Sequence, residues 1–151
     1  MEQLLELYKN WKGSTPSNVE KLAGAGSNRE YYRMFDEDGD TVIGVIGTSR
    51  DENHAFIYLA KHFEKRRLPV PHILAVSADE LCYLQSDLGN TSLFDAIRGG
   101  REAGGRYNLA EQKLLRNAIR ELPNIQLRGA RELDFSIVTH NQNSIKRVYS
   151  L

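Results

Sequence analysis

The chain has 151 residues, of which 40% are apolar and 26% charged, and its 20 basic and 20 acidic side chains cancel. A balanced charge argues against a general polyanion binder, so no nucleic-acid partner is expected. The single Cys82 excludes an internal disulfide and fits a reducing compartment, and the start lacks a signal-peptide core while no run is apolar enough to span a bilayer. A cytoplasmic protein without a membrane partner is expected.

Leu4, Leu5, Tyr8 and Trp11 recur at helical spacing, so an amphipathic helix is expected within residues 1–15, with Trp11 as a core anchor. Gly13 through Pro16 stop it. Val19 and Leu22 then mark a first strand. Gly24-Ala25-Gly26-Ser27-Asn28 is a glycine-rich turn, and Arg29–Phe35 is a strand-like run rich in aromatics. Asp36-Glu37-Asp38-Gly39-Asp40 is a hairpin signal. It does not fit a calcium loop, whose glycine falls later in the spacing, and no metal site is assigned.

Thr41–Ile46 reads as a third strand, completing an antiparallel meander. Ser49 and Glu52 form a capping box for a helix, with Ala55, Phe56, Leu59, Ala60 and Phe63 on one face. Lys65, Arg66 and Arg67 suit its carbonyl end. Pro69 and Pro71 break the helix. His72–Val76 and Leu81–Gln85 read as two more strands, joined by a turn at Ser77–Glu80. His54, His62 and His72 lack metal spacing and read as surface or cap histidines.

At Ser86-Asp87-Leu88-Gly89 the strand pattern ends. The Asn90-Thr91-Ser92 triplet reads as chance or a helix cap. Helical pieces come next: Ser92–Arg98, a glycine-rich loop at Gly99–Gly105, then a helix capped by Asn108 and Glu111. That last helix should turn Leu114, Leu115, Ala118, Ile119 and Leu122 inward until Pro123. The signal fades after Asp134. The expected divisions are a helix at 1–15, a nucleotide-binding lobe at 16–89, the start of a helical lobe at 90–134 and an irregular tail at 135–151.

The glycine turn admits more than one reading. A Rossmann site needs GxGxxG opening a helix, whereas Arg29 stands at the third glycine and a strand comes after it. A Walker A loop needs Gly-Lys-Ser/Thr, which is absent. A hairpin turn without a ligand remains open. So does the glycine-rich lid of a kinase-like fold, which lies between two antiparallel strands. Only the lid also predicts the later order of strand, helix, two strands, hinge and helix.

On these residues the chain resembles the aminoglycoside phosphotransferase and choline kinase superfamily, and most closely its bacterial anomeric amino-sugar kinases. The resemblance covers about residues 10–135. It is carried by Gly24–Arg33 (GAGSNREYYR), Glu52–Val76 (ENHAFIYLAKHFEKRRLPVPHILAV) and Leu84–Ile97 (LQSDLGNTSLFDAI). It implies a protein-kinase-like N-lobe with ATP as cofactor, adenine against Gln85–Leu88 and phosphates under the turn. The implied nucleotide-binding residues are Gly24, Ala25, Gly26, Ser27, Asn28, Arg33, Gln85, Ser86, Asp87 and Leu88.

Two departures bear on mechanism. The third strand of kinases usually carries a lysine that pairs with phosphates and a helix glutamate, and TVIGVIG has none, as in the sugar-kinase branch. Arg29, Arg33 or Arg50 could supply the charge, and each also reads as a solvated surface arginine. Glu52 is the candidate helix glutamate, although capping already accounts for it. The family's His-x-Asp-x-x-x-x-Asn segment is absent: beyond Asp95 the sole aspartate is Asp134, and His140 is followed two residues on by Gln142. No catalytic residue is therefore assigned.

The expected fold is α+β: a five-stranded antiparallel sheet with one packed helix, an N-terminal helix and C-terminal helical pieces. The expected function is the ATP-binding lobe of a small-molecule phosphotransferase, inactive alone, in a truncated or frameshifted product. Magnesium and a sugar or amino-sugar acceptor would belong to a full-length relative. The alternative is a non-catalytic nucleotide- or protein-binding module, self-associating through the face a missing lobe would cover.

Overall fold

Alternating apolar residues in short runs fold here as five strands, in a computed structural model that describes residues 1–23 and 28–138. The strands are β1 (Asn18–Lys21), β2 (Glu30–Phe35), β3 (Thr41–Ile46), β4 (Ile73–Val76) and β5 (Cys82–Ser86). They form one antiparallel sheet in the order β1-β2-β3-β5-β4. The α+β class and the strand count therefore stand as expected. The chain divides into two units: residues 1–87 with the segment from Asp134, and Leu88–Leu133.

In the first unit, α1 (Glu2–Lys12) ends at Gly13, whose φ of 86° is the left-handed conformation a glycine adopts without strain. Leu4 and Tyr8 are fully buried with Tyr32, Met34, Cys82 and Leu84 on one face of the sheet. Gly44 lies where α1 crosses: a Cβ there would sit 2.8 Å from both a Leu4 methyl and the Met34 sulfur. Trp11 departs from the expected anchor role, being 38% exposed. It lies in the last turn among exposed residues and touches the core only edge-on, through Tyr8 at 5.9 Å.

The opposite face carries Ile43, Val45 and Tyr83, packed against Ile57 of α2 (Arg50–Lys65). Ser49 caps α2 by accepting the Glu52 N–H at 3.3 Å. The buried face of α2 is rotated from the expected one: it centres on Asn53, Ile57 and Ala60, with Ala55, Phe56, Leu59 and Phe63 only half-buried. His62 is also buried, against the surface role expected, because the Tyr58 and Phe63 rings flank it at 5.8 and 5.9 Å. His54 and His72 are exposed and meet Glu80 (3.0 Å) and Glu64 (2.8 Å).

The acidic hairpin closes on itself. Asp36 accepts from the N–H groups of Asp38 and Asp40 and from Lys12 at 2.7 Å. The Lys12 ammonium leads the effects that hold its carboxyl below the usual range. A short helix, α6 (Phe135–Val138), belongs to this unit, and the Asp134 N–H donates to the Tyr58 hydroxyl. The rest of the expected tail lies outside the described residues.

In the second unit, α3 (Leu93–Ala96) is capped by Ser92. Residues expected as a glycine loop are partly α4 (Arg98–Glu102), and the loop proper is confined to the segment holding Gly104 and Gly105, at φ 67° and 87°. α5 (Leu109–Pro123) carries the full Asn108–Glu111 capping box. Glu111 does more than cap: it is buried and also accepts the Gly100 N–H at 2.9 Å. The helix continues past Pro123 as a π-helical turn, Asn124–Arg128. The inward face expected for α5 is only partly covered: Leu115 and Ala118 are half-buried, whereas Leu114, Ile119 and Leu122 are exposed. α3 and α4, four and five residues long, are too short to shield a 15-residue helix.

Candidate functional site

Antiparallel pairing puts Arg33, Ile43 and Gln85 in one row across β2, β3 and β5 on the α2 side of the sheet. Just past β5, Asp87 reaches back over this row. Arg33 Nε donates to Asp87 Oδ2 at 2.5 Å and Nη2 to Oδ1 at 3.1 Å, a two-point contact between planar groups. Thr41 Oγ1 donates to the same carboxylate at 2.9 Å. Both charged side chains are about nine-tenths buried. The hydrogen bond to the carboxylate raises the guanidinium's pKa further, so Arg33 stays charged.

Two of the residues assigned to nucleotide are thus engaged with each other. The sequence leaves Arg33 open as a phosphate ligand or a solvated arginine; the structure shows it buried and bonded to Asp87, so it is not a solvated surface arginine. Ser86 Oγ accepts the His72 N–H at 2.9 Å, tying β5 to the start of β4. Gln85 is half-buried, and its Oε1 is buried without a hydrogen-bond partner. Leu88 is 72% exposed and belongs to the second unit. Asn28 is exposed, while Gly24, Ala25, Gly26 and Ser27 lie outside the described residues.

A second polar cluster joins the start of β2 to the first turns of α2. Arg29 Nε donates to Asn53 Oδ1 at 3.1 Å, and its Nη2 to the Glu52 carbonyl at 3.0 Å. Its guanidinium carbon lies 5.1 Å from the Phe56 ring centre, and Phe56 stacks on Tyr83 at 5.4 Å. Asn53, wholly buried, also donates to the carbonyls of Glu80 and Leu81. It lies against Gly47, where any Cβ would strike it. Asn53 is thus the α2 residue whose side chain ties Arg29 to the Glu80 and Leu81 carbonyls. Its phase could have shown this: Asn53, Ile57 and Ala60 are spaced i, i+4, i+7.

Tyr83 completes this cluster. It is fully buried, its hydroxyl has no partner, and burial pushes its pKa well up. On the same face, β3 presents the apolar Val45 opposite Tyr83. Among the described residues no group of three or more His, Cys, Asp or Glu side chains could hold a metal ion. Among them, too, no helix is long and apolar enough to cross a membrane. Comparison with models of known protein families finds no match, and comparison with curated proteins finds no significant relative.

Proposed function

We propose that this chain is the ATP-binding lobe of a small-molecule phosphotransferase of the sugar or aminoglycoside type. The observation that carries the reading is the order of parts. The glycine-rich stretch of the sequence falls between β1 and β2, one capped helix falls between β3 and β4, and β5 leads in sequence into Asp87-Leu88-Gly89. In a kinase-like lobe these parts cover the phosphates, brace the sheet and form the hinge against the base. The Arg33–Asp87 pair supports the reading by fixing the path of the chain as it leaves β5. This polypeptide transfers no phosphate, because positioning and metal-borne charge supply most of that rate and it lacks the His-x-Asp-x-x-x-x-Asn segment.

Titration of the purified chain with ATP–magnesium tests this. Saturable binding that weakens when Gly24 and Gly26 are replaced by bulky residues supports it. Phosphate transfer to amino sugars well above a heat-killed control would contradict the inactive part of the reading.

The exposed apolar residues of α5 and of the π-helical turn after it favour a second reading. Leu109, Ile119, Leu122 and Leu127 are each more than half exposed, the pattern of a helix that docks on another protein surface. Under that reading the chain is a non-catalytic interaction module, with no nucleotide binding and a concentration-dependent dimer.

A further inference from the structure

We propose that the outer side of α5 docks on an anionic membrane surface, lying flat on it rather than crossing it. The inference stands apart from the nucleotide-binding reading. It departs from the expectation of no membrane partner, which rested on the lack of a spanning run. A helix that lies in the headgroup layer needs no such run, only an apolar row and a cationic row side by side. Lys113, Arg116 and Arg120 recur at i, i+3 and i+7, so they share one face, and all three are exposed. Among the described residues none of them has an acidic partner: Arg116 donates to the neutral Gln112 Oε1, at 3.4 Å. With Leu109, Gln112 and Asn117 they line an open groove of about 200 Å³, large enough to seat a headgroup phosphate. The two acids of α5 lie elsewhere. Glu111 is buried and accepts the Gly100 N–H, and Glu121, which accepts from Asn124, is neither three nor four residues from any of the cations.

The apolar row runs beside the cations. Leu115, Ala118, Ile119 and Leu122 recur at i, i+3, i+4 and i+7. The first two are half-buried, while Ile119 is 63% and Leu122 54% exposed. Ile119 is three residues from both Arg116 and Leu122, so the uncovered end of the apolar row adjoins the cationic face. The π-helical turn adds Leu127, another exposed apolar side chain. An occupant has to satisfy both rows. A nucleic acid would engage the cations and leave Ile119 and Leu122 in water. The same face of a second copy would cover the apolar row but offer these cations no carboxylate. An anionic bilayer serves both: the apolar side chains enter the acyl boundary, and the long stems of Lys113, Arg116 and Arg120 carry their charges back to the phosphates. The segment Leu88–Leu133 suits such a surface, with eight basic against five acidic residues in a chain that is balanced as a whole.

Flotation of the purified chain with vesicles tests this, using phosphatidylcholine alone and an equimolar mixture of phosphatidylcholine and phosphatidylserine. The wild type is expected to float with the anionic vesicles, less so as salt is raised, and to stay behind with the neutral ones. The triple change Lys113→Gln, Arg116→Gln and Arg120→Gln should weaken partitioning roughly a hundredfold, from about fivefold for each charge near the surface. Ile119→Ser with Leu122→Ser should weaken it roughly tenfold or more with the charge unchanged. All five side chains are exposed, so both variants should keep the wild-type melting temperature, which reads folding separately. The inference falls if the wild type ignores anionic vesicles or binds neutral ones equally, or if either variant partitions like the wild type. It falls in favour of a general polyanion if duplex DNA binds as tightly as the anionic vesicles and the serine changes leave both untouched. It falls in favour of a second copy if sedimentation shows a dimer that the serine changes abolish while the wild type leaves vesicles unbound.

Discussion

Replacing Asp87 by alanine removes the carboxylate that receives both Arg33 and Thr41. The pair is about nine-tenths buried, so water cannot take the carboxylate's place. Deleting one partner of a buried pair costs about 3–5 kcal/mol, because the other charge keeps its desolvation penalty. For a unit of this size each kcal/mol is about 4–8 °C in melting temperature, so a loss near the lower bound is about 12–24 °C. Asp87→Asn should cost less, since it keeps the shape and an acceptor for Thr41. The double change Arg33→Leu with Asp87→Leu should recover most of the loss, because it removes both buried charges. Urea unfolding of the wild type, the single changes and the double change measures these differences in one double-mutant cycle. An Asp87→Ala chain within about 0.5 kcal/mol of wild type, the range for an ordinary surface change, would show that the pair is not a buried ion pair in solution. So would a double mutant as unstable as the two singles summed.

Gly44→Val should loosen α1 from the sheet, since its first carbon would already crowd Leu4 and Met34 at 2.8 Å. A loss of about 1–3 kcal/mol in urea unfolding, the usual cost of overpacking, is expected. A second prediction concerns acid. Hydrogen bonds from Gln3, Ser77 and the Leu81 N–H hold Asp79 at about 2, below its ordinary 3.8. A depressed carboxylate stabilises the fold fully above its unfolded value and loses that contribution as pH falls from about 4 through about 2. Melting temperature against pH should fall across that window, and Asp79→Asn should flatten the fall. An NMR titration placing Asp79 near 3.8 would contradict the origin assigned to it.

The elements legible in the sequence are those set by neighbours along the chain. Strands β2 and β3 arise from alternation around an Asp-Gly turn, and the caps at Ser49 and Asn108 arise from residues three apart. What is not legible depends on distant partners. Arg33 and Asp87 are 54 positions apart, and nothing local marks them as a pair. Trp11 reads as core by composition, yet the α1 residues buried on the sheet are Leu4 and Tyr8, with Leu5 and Leu7 packed beside them. The apolar side of α5 has helical period, but period cannot say whether a neighbour covers it. Asn53 is the instructive middle case: its helical phase is present in the sequence, but a polar residue leading an apolar stripe is a weaker signal than the capping glutamate beside it.

Nucleotide binding by this chain is tested most directly by an NMR titration of the labelled protein with ATP–magnesium, following backbone amides. Saturable shifts are expected in Arg29–Arg33, in Val42–Val45 and in Leu84–Asp87, with the amides of Leu109–Pro123 unmoved. Shifts confined to Leu109–Pro123, or a spectrum unchanged at millimolar nucleotide, would contradict a nucleotide-binding lobe.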